Sequence, residues 1–546
     1  MEVGKPQTAD RKIIVGVDFG TTYSGVAWAE NRNPSRRTCI TQWPVSSANK
    51  EGQSSDKVPT RIRYNGDKIE WGFSVPVNAP QHEVVDWFKL TEGARSGRNV
   101  DELVTDFISQ LLDHLMYTLR EKLGSGLVDS TPLQFVITVP AIWSDLAKEK
   151  TKKACEQAMI SVSEHHVHLV SEPEAAAIYA LHDLDMNGLD AGDTIVVVDA
   201  GGGTVDLISY TILSTKPILE VQEAAPGSGA LCGSTFLNMR FSKFLQSKLG
   251  KEEGFDDEIM AEALDVFENK VKRQFALNVE PDETYNIPVA GLANNKSLGI
   301  SRGRFALRHR TLVKDQITAS NVPVQAILLV GGFGSSNYLK ERLRAAIDSS
   351  VRIMQPPNAW QAIVQGAVLK GLAQSSPDCT VVKVENRKAR KHYGTEWSVR
   401  WDEKSHGNLK SERYWCGLDG CYKVRVMEWF ITRGSTVSEN DPYIAAFVWT
   451  NPVSKGRIRK VKMTIYNDHL SRDAPLSRND NVKMLSIVEA DVNHIPENQL
   501  RRRKGCDDQW YYELNCKIEA IYTSASTSYT LIYQNQRFST VTCEYV

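Results

Sequence analysis

Two segments of the chain repeat one local pattern, and this repetition constrains the fold more than any other feature. Ile14-Val-Gly-Val-Asp18-Phe-Gly-Thr-Thr22 and Val196-Val-Val-Asp199-Ala-Gly-Gly-Gly-Thr204 both run from an apolar stretch through an Asp into a Gly/Thr turn, 181 positions apart. A third apolar stretch ends in Gly331-Gly332. One Asp-x-Gly hairpin can arise by chance, but two with the same order of residues indicate a duplicated unit.

The apolar stretches of residues 1–377 are continuous and do not alternate with polar residues. Examples are Ile13–Val17, Phe135–Val139 and Thr194–Val198. Such runs are typical of strands that are buried on both faces of a sheet. Helical periodicity lies between them, at Asp101–Lys122 and Asp257–Leu277. The alternation of strands and helices predicts an α/β architecture.

The last third of the chain has a different composition. Residues 378–546 carry 26 basic and 21 acidic residues, a net charge of +5, whereas residues 1–377 carry −6. Short alternating runs rich in aromatic and β-branched residues, such as Tyr443–Trp449 and Cys516–Tyr522, predict a β-rich domain, a β-sandwich or a similar module. The predicted domains are a flexible N-terminus (1–12), a first lobe (13–190), a second lobe (191–377) and a β-rich C-terminal domain (378–546).

The composition of the whole chain excludes several classes of protein. Its 546 residues are 41% hydrophobic and 24% charged, which is ordinary for globular domains and excludes a disordered chain or a coiled coil. No apolar run reaches the roughly 18 residues of a membrane span, and the net charge of −1 argues against a polybasic nucleic-acid binder. We expect a cytoplasmic protein, with the nucleus as the alternative, and neither membrane nor nucleic acid as a partner.

Two groups of residues could be interpreted as metal ligands. Cys416, Cys421, Cys506 and Cys516 could form a zinc site, but their spacing is irregular, and small buried residues or reduced thiols are the simpler interpretation. The run His165-His166-x-His168 directly precedes an apolar strand. It is better explained as a loop and a strand edge.

The repeated turns have the chemistry of phosphate-binding loops. Glycine lets the backbone approach an anion closely, and Thr hydroxyls add hydrogen-bond donors. Two such hairpins facing each other would hold a polyphosphate from both sides. Asp18 and Asp199 would repel that anion unless Mg²⁺ lay between them, and Mg²⁺ is commonly held by one or two carboxylates plus phosphate oxygens. The sequence therefore predicts a Mg²⁺–nucleotide cleft between two lobes, without a Walker A or a Rossmann fingerprint.

Five motifs in this order resemble those of the actin-like ATPase superfamily, and within it the 70-kilodalton heat-shock (DnaK-type) chaperones. Asp18–Tyr23 resembles the first phosphate loop of that family, and Asp199–Asp206 resembles the second. The two connecting segments and the adenosine motif of the family are similar to 139–141, 171–177 and 329–332. The resemblance covers most of residues 13–372 and implies two duplicated, ribonuclease H-like lobes.

The resemblance also implies roles for individual residues. Asp18, Asp199, Glu172 and Asp206 would arrange the Mg²⁺ shell and the attacking water, with Asp18 and Asp199 as the metal ligands. Lys89 would assist the γ-phosphate. The implied catalytic residues are Lys89, Glu172, Asp199, Thr204 and Asp206. Pro140 would be the hinge that senses the nucleotide. Phosphate contacts would come from Gly20, Thr21, Thr22, Tyr23, Gly201, Gly202, Gly203 and Thr204. Contacts to the nucleoside would come from Glu268, Lys272, Arg273, Gly331 and Gly332, and stacking by Phe333 would substitute for a family residue that this chain lacks.

The chain also departs from the family pattern. Phe333 follows Gly331-Gly332 where the family has a Ser and an Arg that stacks on adenine, and Trp360-Gln361 replaces an Asp-Glu pair. The segment between Arg304 and Ala326 is short, residues 373–378 are polar where the family has a leucine-rich linker, and the chain end lacks the pattern of a helical lid. This combination is similar to a divergent, fungal-rich branch of the family.

The resemblance implies binding of ATP and ADP with Mg²⁺ and slow ATP hydrolysis. The leading hypothesis is a nucleotide-dependent, chaperone-like factor whose partners are unfolded client proteins and co-chaperones. One alternative is a nucleotide-dependent switch or interaction protein with negligible hydrolysis. Another is a small-molecule kinase on the same fold, although the sequence contains no distinct sugar-binding segment.

Overall fold

The computed structural model divides the chain into two compact units, which are described separately. The first unit comprises Met1–Trp143, Lys150–Gln222 and Gly227–Lys383, and the second comprises Ser144–Glu149, Glu223–Pro226 and Val384–Val546. The structure describes residues 11–46, 54–76, 79–80, 82–89, 98–159, 165–184, 188–274, 284–308, 325–439, 441–538 and 541–545. Residues 1–10 of the predicted flexible N-terminus and most of the short 304–326 segment lie outside these ranges.

The part of the chain before residue 376 contains seventeen described strands and nine described α-helices. The strands are β1 (Ile13–Asp18), β2 (Tyr23–Glu30), β3 (Thr38–Cys39), β4 (Val58–Pro59), β5 (Arg61–Asn65), β6 (Lys68–Trp71), β7 (Val84–Asp86), β8 (Leu133–Val139), β9 (His165–Ser171), β10 (Thr194–Ala200), β11 (Val205–Ser214), β12 (Leu219–Ala230), β13 (Thr284–Pro288), β14 (Ile300–Ser301), β15 (Arg304–Arg308), β16 (Ala326–Val330) and β17 (Arg352–Met354). The helices are α1 (Val100–Leu123), α2 (Ser125–Ser130), α3 (Asp145–Ala158), α4 (Glu172–Asp183), α5 (Thr235–Leu249), α6 (Asp257–Val266), α7 (Lys272–Gln274), α8 (Asn337–Ala346) and α9 (Ala362–Ser375).

Two sheets of the first unit have the same topology. In one sheet β1 is antiparallel to β2 and parallel to β8, which is parallel to β9. In the other, β10 is antiparallel to β11 and parallel to β16, which is parallel to β17. All residues of β1, β8 and β16 are buried, as continuous apolar runs predict for central strands. The predicted α/β fold with two duplicated lobes is therefore confirmed.

The helical periodicity also corresponds to observed helices. The pattern at Asp101–Lys122 forms α1, whose buried side chains include Leu103, Phe107, Leu111, Leu115 and Leu119. Asn99 caps this helix, because its side chain accepts a hydrogen bond from the Asp101 backbone N–H. The pattern at Asp257–Leu277 forms α6, a π-helical turn (Phe267–Val271) and α7, and residues 275–277 lie outside the described part.

Helices α4 and α9 of the first unit cross at very short range. A Cβ atom added to Gly366 would lie 1.7 Å from the Ala175 carbonyl oxygen. On its other side α9 buries Val364, Val368 and Leu372 against Ile14 of β1. The two helices can therefore approach this closely only because residue 366 has no side chain beyond a hydrogen atom.

We predict that Gly366→Ala destabilises the protein, although alanine is the better helix former by about 1 kcal/mol. The methyl group meets backbone, which cannot rotate away, and such overpacking costs about 1–3 kcal/mol. Differential scanning calorimetry should show a melting temperature lower by several degrees. The matched control is Gly126→Ala in α2, where an added Cβ has nothing within 4 Å. Equal melting temperatures for the two variants would contradict the close crossing.

The second unit consists mainly of strands. Its elements, starting with a strand that begins just before it, are β18 (Val382–Lys388), β19 (His392–Arg400), α10 (Glu403–His406), β20 (Tyr414–Cys416), β21 (Cys421–Ile431), β22 (Thr436–Val437), β23 (Tyr443–Pro452), β24 (Lys460–Asp468), β25 (Lys483–Asp491), β26 (Arg501–Lys504), β27 (Trp510–Tyr522), β28 (Thr527–Tyr533), β29 (Gln536–Phe538) and β30 (Val541–Tyr545). The predicted strands at Tyr443–Trp449 and Cys516–Tyr522 lie within β23 and β27.

Two sheets of the second unit share one hydrophobic core. One sheet has the order β20-β21-β19-β24-β25-β30, and the other has the order β23-β27-β28-β29 with β26 beside β27. Ile465 of β24 and Val488 of β25 contribute to the core from the first sheet, while Leu514 and Leu531 contribute from the second. This arrangement is a β-sandwich, as the alternating pattern predicts.

The metal interpretations find little support in the structure. His165, His166 and His168 lie within β9 itself, because Leu133 of β8 pairs with His165 and the ladder starts there, so the expectation of a loop before the strand is wrong. Cys516 is buried in β27, whereas Cys416 and Cys421 face each other across the β20–β21 hairpin. The described residues contain no group of three or more His, Cys, Asp or Glu side chains arranged to hold a metal ion.

Candidate functional site

The duplicated strands place two aspartates at equivalent positions of the first unit. Asp18 is the last residue of β1 and is 2% exposed, and Asp199 stands one residue before the end of β10 and is 3% exposed. In the neighbouring antiparallel strands, Gly25 pairs with Asp18 and Asp206 pairs with Asp199. Glu172 begins α4 directly after β9, and it is also buried. Four buried carboxylates therefore lie at the ends of these strands.

Asp18 has a partner on each of its carboxylate oxygens. Oδ2 accepts a hydrogen bond from Lys57 Nζ at 2.5 Å, and Oδ1 accepts one from Thr138 Oγ1 at 3.2 Å. Lys57 is 4% exposed and precedes β4, whose pairing with β2 brings it to this position. No motif in the sequence points to Lys57, since a single lysine before Val-Pro looks like any solvated lysine.

Lys89 is bound to Glu172. Its ammonium group donates to Glu172 Oε1 at 2.8 Å and to the backbone carbonyl of Phe19. It also lies 5.0 Å from the centre of the Trp143 ring and 5.5 Å from that of Phe19, within reach of a cation–π attraction. The structure thus brings Lys89 into contact with Glu172, and both lie beside Phe19, the residue that follows Asp18.

Burial and mutual repulsion raise the pKa values of Glu172 and Asp199. Burial raises the pKa of Glu172 to about 7; Lys89 opposes this shift, while Asp18 and Asp206 add to it. Burial also raises the pKa of Asp199 well above its ordinary value, with further contributions from Glu172, Asp206 and Asp18. These four acids interact with one another, so the structure brings together all the predicted catalytic carboxylates.

The charges of this cluster fit a divalent cation. If all four carboxylates were ionised, the two lysines would leave two negative charges uncompensated. A bound Mg²⁺ would neutralise these charges and favour the ionised forms of Glu172 and Asp199. Asp199 Oδ1 is buried and has no hydrogen-bond partner among the described residues, as expected of an oxygen left for a cation or its water. Because the described acids do not form a chelating group of three, phosphate oxygens and water would supply the other ligands.

The two Gly/Thr turns approach each other directly. A Cβ atom added to Gly202 would lie 2.1 Å from Thr22 Oγ1, so only glycine permits this approach. The second turn is closed by a hydrogen bond from the Gly201 N–H to the Thr204 carbonyl, and the Thr235 N–H donates to the Gly202 carbonyl. Gly20, Thr21, Tyr23 and Gly203 complete the two predicted phosphate loops. The loops face each other as the repeated pattern predicts.

The predicted nucleoside contacts are only partly brought together. Lys272 forms an ion pair with Glu268 and donates to the Ser234 carbonyl at 3.2 Å, and the Ser234 N–H in turn donates to the Gly201 carbonyl at 3.1 Å. Through these contacts, Lys272 and Glu268 are connected to the second predicted phosphate loop. The side chain of Arg273 lies outside the described part of the structure.

Aromatic residues surround the predicted adenosine motif. Phe333 packs against the hydrophobic cluster of Ala200 and Leu329, so its ring is partly used by the core. Trp360 instead lies beside Gly332, with its Nε1 3.2 Å from where a Cβ atom would be, and its ring meets that of Tyr23 edge-on at 5.5 Å. Trp360 is therefore a second aromatic candidate next to Gly331-Gly332.

These features define the class of the protein. Duplicated α/β lobes, a pair of facing Gly/Thr loops and buried aspartates at the strand ends together form a two-lobed, actin-like ATPase fold. The family model for Hsp70 protein matches residues 101–373, half of the chain. The chain therefore belongs to the Hsp70 family and is an ATP-binding, Hsp70-like protein. The matched range contains Glu172, Asp199 and Asp206, whereas Asp18 and Lys89 precede it.

Individual relatives are similar over most of the chain. Human heat shock 70 kDa protein 12A is 26% identical in an alignment that covers 74% of this chain and 75% of the human protein. Human heat shock 70 kDa protein 12B is 23% identical over 68% of this chain and 70% of its own length. The chaperone protein DnaK of Mycoplasma mycoides is 28% identical over 66% of this chain and 59% of its own length.

The pKa of Glu172 generates a prediction about stability in the absence of metal. The pKa of Glu172 is about 7 in the folded protein and 4.5 in the unfolded chain, so between pH 4.5 and pH 7 the folded protein binds a proton at Glu172 that the unfolded chain has lost. This stabilisation is present at low pH and is lost as the pH rises through 7, and it amounts to at most about 3 kcal/mol. We expect the melting temperature of the parent protein in EDTA to fall more steeply between pH 5 and 8 than that of Glu172→Gln.

The control for this comparison is Glu102→Gln, which changes an exposed glutamate on α1. It should follow the pH profile of the parent protein. If Glu172→Gln does the same, Glu172 does not titrate in this range and the electrostatic description of the cluster is wrong.

Proposed function

We propose that the first unit binds Mg²⁺–ATP and hydrolyses it slowly, and that the protein acts in the cytoplasm as a nucleotide-dependent, chaperone-like factor. The observation that carries this proposal is the buried cluster of Asp18, Glu172, Asp199 and Asp206 beside two facing Gly/Thr loops. A cluster of acids in this position has no stabilising role by itself, because like charges repel in a poorly hydrated site. Its placement is explained if it serves a cation bound with a polyphosphate.

The residues of the site supply what phosphoryl transfer to water requires. This reaction depends mainly on positioning and on stabilisation of charge. Backbone amides of both loops and the hydroxyls of Thr22 and Thr204 are donors for phosphate oxygens, and Mg²⁺ when bound would neutralise charge on the phosphates. Glu172 and Asp206 belong to the same cluster and, in this proposal, orient the attacking water. A carboxyl with a pKa of about 7 can also accept a proton from that water at neutral pH.

Both cations of the site are engaged in ion pairs, which favours slow turnover. Lys89 holds Glu172 and Lys57 holds Asp18, each at hydrogen-bond distance. To stabilise the charge that develops on the leaving phosphate, a lysine must weaken its ion pair with the carboxylate. This raises the activation free energy of hydrolysis. The same observation favours the second candidate function, a nucleotide-dependent switch in which binding matters and hydrolysis is negligible.

The second unit offers a surface for a client. Ile444 and Val448 of β23 are 50% and 55% exposed, and a groove of about 580 Å³ is lined by Val448, Phe447 and Tyr533, among others. Exposed apolar side chains next to a groove are typical of protein-binding surfaces. Binding of an unfolded, fluorescently labelled peptide that weakens or strengthens on addition of ATP would support the chaperone-like role. Binding that ignores ATP would count against a coupled cycle.

Isothermal titration calorimetry with ATP and Mg²⁺ tests the nucleotide proposal. We expect saturable binding by the parent protein and a loss of at least tenfold in affinity for Asp199→Ala, which removes the carboxylate with the unpaired oxygen. Asp67→Ala, in an exposed turn of the first unit, is the control and should bind like the parent. Absence of binding by the parent at millimolar nucleotide would refute the proposal.

Release of phosphate separates an ATPase from a switch. If the protein hydrolyses ATP, Lys89→Ala should lower kcat by about tenfold to a thousandfold, because Lys89 touches the catalytic carboxylate and stabilises charge. Lys68→Ala, an exposed lysine on β6, should leave kcat unchanged. Equal, background-level release by all three proteins, together with tight ATP binding, would favour the switch.

A further inference from the structure

Lys57 is a buried cation of the candidate site to which the family motifs assign no role. Its side chain is 6% exposed, and its ammonium group lies 2.5 Å from Asp18 Oδ2. A lysine is almost never buried without a partner, and burial of such a pair is costly compared with apolar residues of similar size. This cost makes a purely structural role for the pair a poor explanation of its presence.

The path of the Lys57 side chain is built into the fold. The two residues after it pair with Tyr23 and Ser24 of β2, and the Thr60 N–H donates to the Thr22 carbonyl at 2.8 Å. The aliphatic part of Lys57 then lies over Gly25, where an added Cβ would be 3.2 Å from Lys57 Cγ. Gly25 is the residue that pairs with Asp18 across the two strands. The absence of a side chain at this position opens the way for Lys57 to reach Asp18.

Lys57 lies beside the first predicted phosphate loop and in contact with the acids. It is anchored beside the first Gly/Thr turn, which directly follows Asp18, and its positive charge also acts on Asp199 at the second turn. Its charge therefore lies within the cluster of acids, in contact with Asp18 and close enough to affect Asp199. Lys89 pairs with another carboxylate of the same cluster, that of Glu172, whereas Lys57 pairs with Asp18.

We propose that Lys57 is a resident phosphate-binding cation, whose ammonium group passes from Asp18 to a phosphate oxygen when the nucleotide binds. This inference rests on the proposed nucleotide binding in the first unit. Lys57 thereby takes over part of the charge compensation that Mg²⁺ provides in such sites, and it makes nucleotide binding less dependent on Mg²⁺. In this proposal, Lys57 allows the site to bind both free ATP and Mg²⁺–ATP.

Coulomb's law gives the size of the expected effect. At an effective dielectric constant of about 20, one unit charge about 6 Å from another changes a binding constant by about a hundredfold. Without Lys57 the cluster carries one more uncompensated negative charge, which repels free ATP more strongly than Mg²⁺–ATP. The quantity to measure is therefore the ratio of the Kd for ATP in EDTA to the Kd in Mg²⁺.

Calorimetry of the full chain with ATP, in EDTA and in Mg²⁺, tests the inference. Lys57→Met keeps the length of the side chain and removes its charge, and we expect its ratio to exceed that of the parent by at least tenfold. Lys68→Met, which changes an exposed lysine of the same unit, should keep the parent ratio. Equal ratios for the parent and Lys57→Met would overturn the inference.

The double variant Asp18→Asn/Lys57→Met separates a phosphate contact from simple neutralisation of Asp18. It has the same net charge as the parent and removes the carboxylate that Lys57→Met alone would leave without its lysine, so it also serves if Lys57→Met fails to fold. Because Asp18 is itself a candidate Mg²⁺ ligand, the quantity compared for this variant is the Kd for ATP in EDTA. If Lys57 contacts phosphate, the double variant binds ATP in EDTA at least tenfold more weakly than the parent. A Kd in EDTA equal to that of the parent would show that Lys57 only neutralises Asp18 and would overturn the inference.

The same experiment distinguishes this inference from the proposed function. If the parent protein does not bind Mg²⁺–ATP, nucleotide binding itself fails. If the parent binds Mg²⁺–ATP and its ratio equals that of Lys57→Met, nucleotide binding stands and only the role of Lys57 fails. Circular dichroism melting of each variant establishes that the folded fractions are comparable.

Discussion

The repulsion among four buried carboxylates is the constraint around which the first unit is organised. Asp18, Glu172, Asp199 and Asp206 are buried near the ends of the duplicated strands, and burial raises the pKa of Glu172 and of Asp199. Two lysines offset part of this repulsion, and the pKa of Glu172 rises to about 7 in spite of Lys89. A bound divalent cation would offset the rest and favour the ionised carboxylates. The stability, the pH dependence and the proposed chemistry of the unit all follow from this one electrostatic arrangement.

The duplication explains how the fold creates such a site. The order of pairing around β1 is repeated around β10, so each sheet ends in an Asp followed by a Gly/Thr turn. The turns approach so closely that Gly202 leaves no space beside Thr22. Helices α4 and α9 cross with similar closeness at Gly366. Membership in the Hsp70 family accounts for this architecture, while the β-sandwich of the second unit is a separate structural element.

The sequence predicted those parts of the site that depend on local order along the chain. Both phosphate loops, Glu172 and Lys89 are marked by short motifs, and continuous apolar runs revealed the central strands. The ion pair between Lys89 and Glu172 was not predicted and is seen only in the structure. Lys57 could not be predicted, because its approach to Asp18 depends on the pairing of β4 with β2, and two residues of strand leave no periodic signal. The position of Trp360 beside Gly332 likewise depends on tertiary packing.

Hydrogen–deuterium exchange tests most directly whether the two loops form one nucleotide site. The facing arrangement predicts that Mg²⁺–ATP slows amide exchange in residues 19–23 and 200–205 together, at the same nucleotide concentration. In Asp199→Ala both segments should lose this protection. Protection of one loop without the other, or protection that survives in Asp199→Ala, would contradict a shared site between the duplicated hairpins.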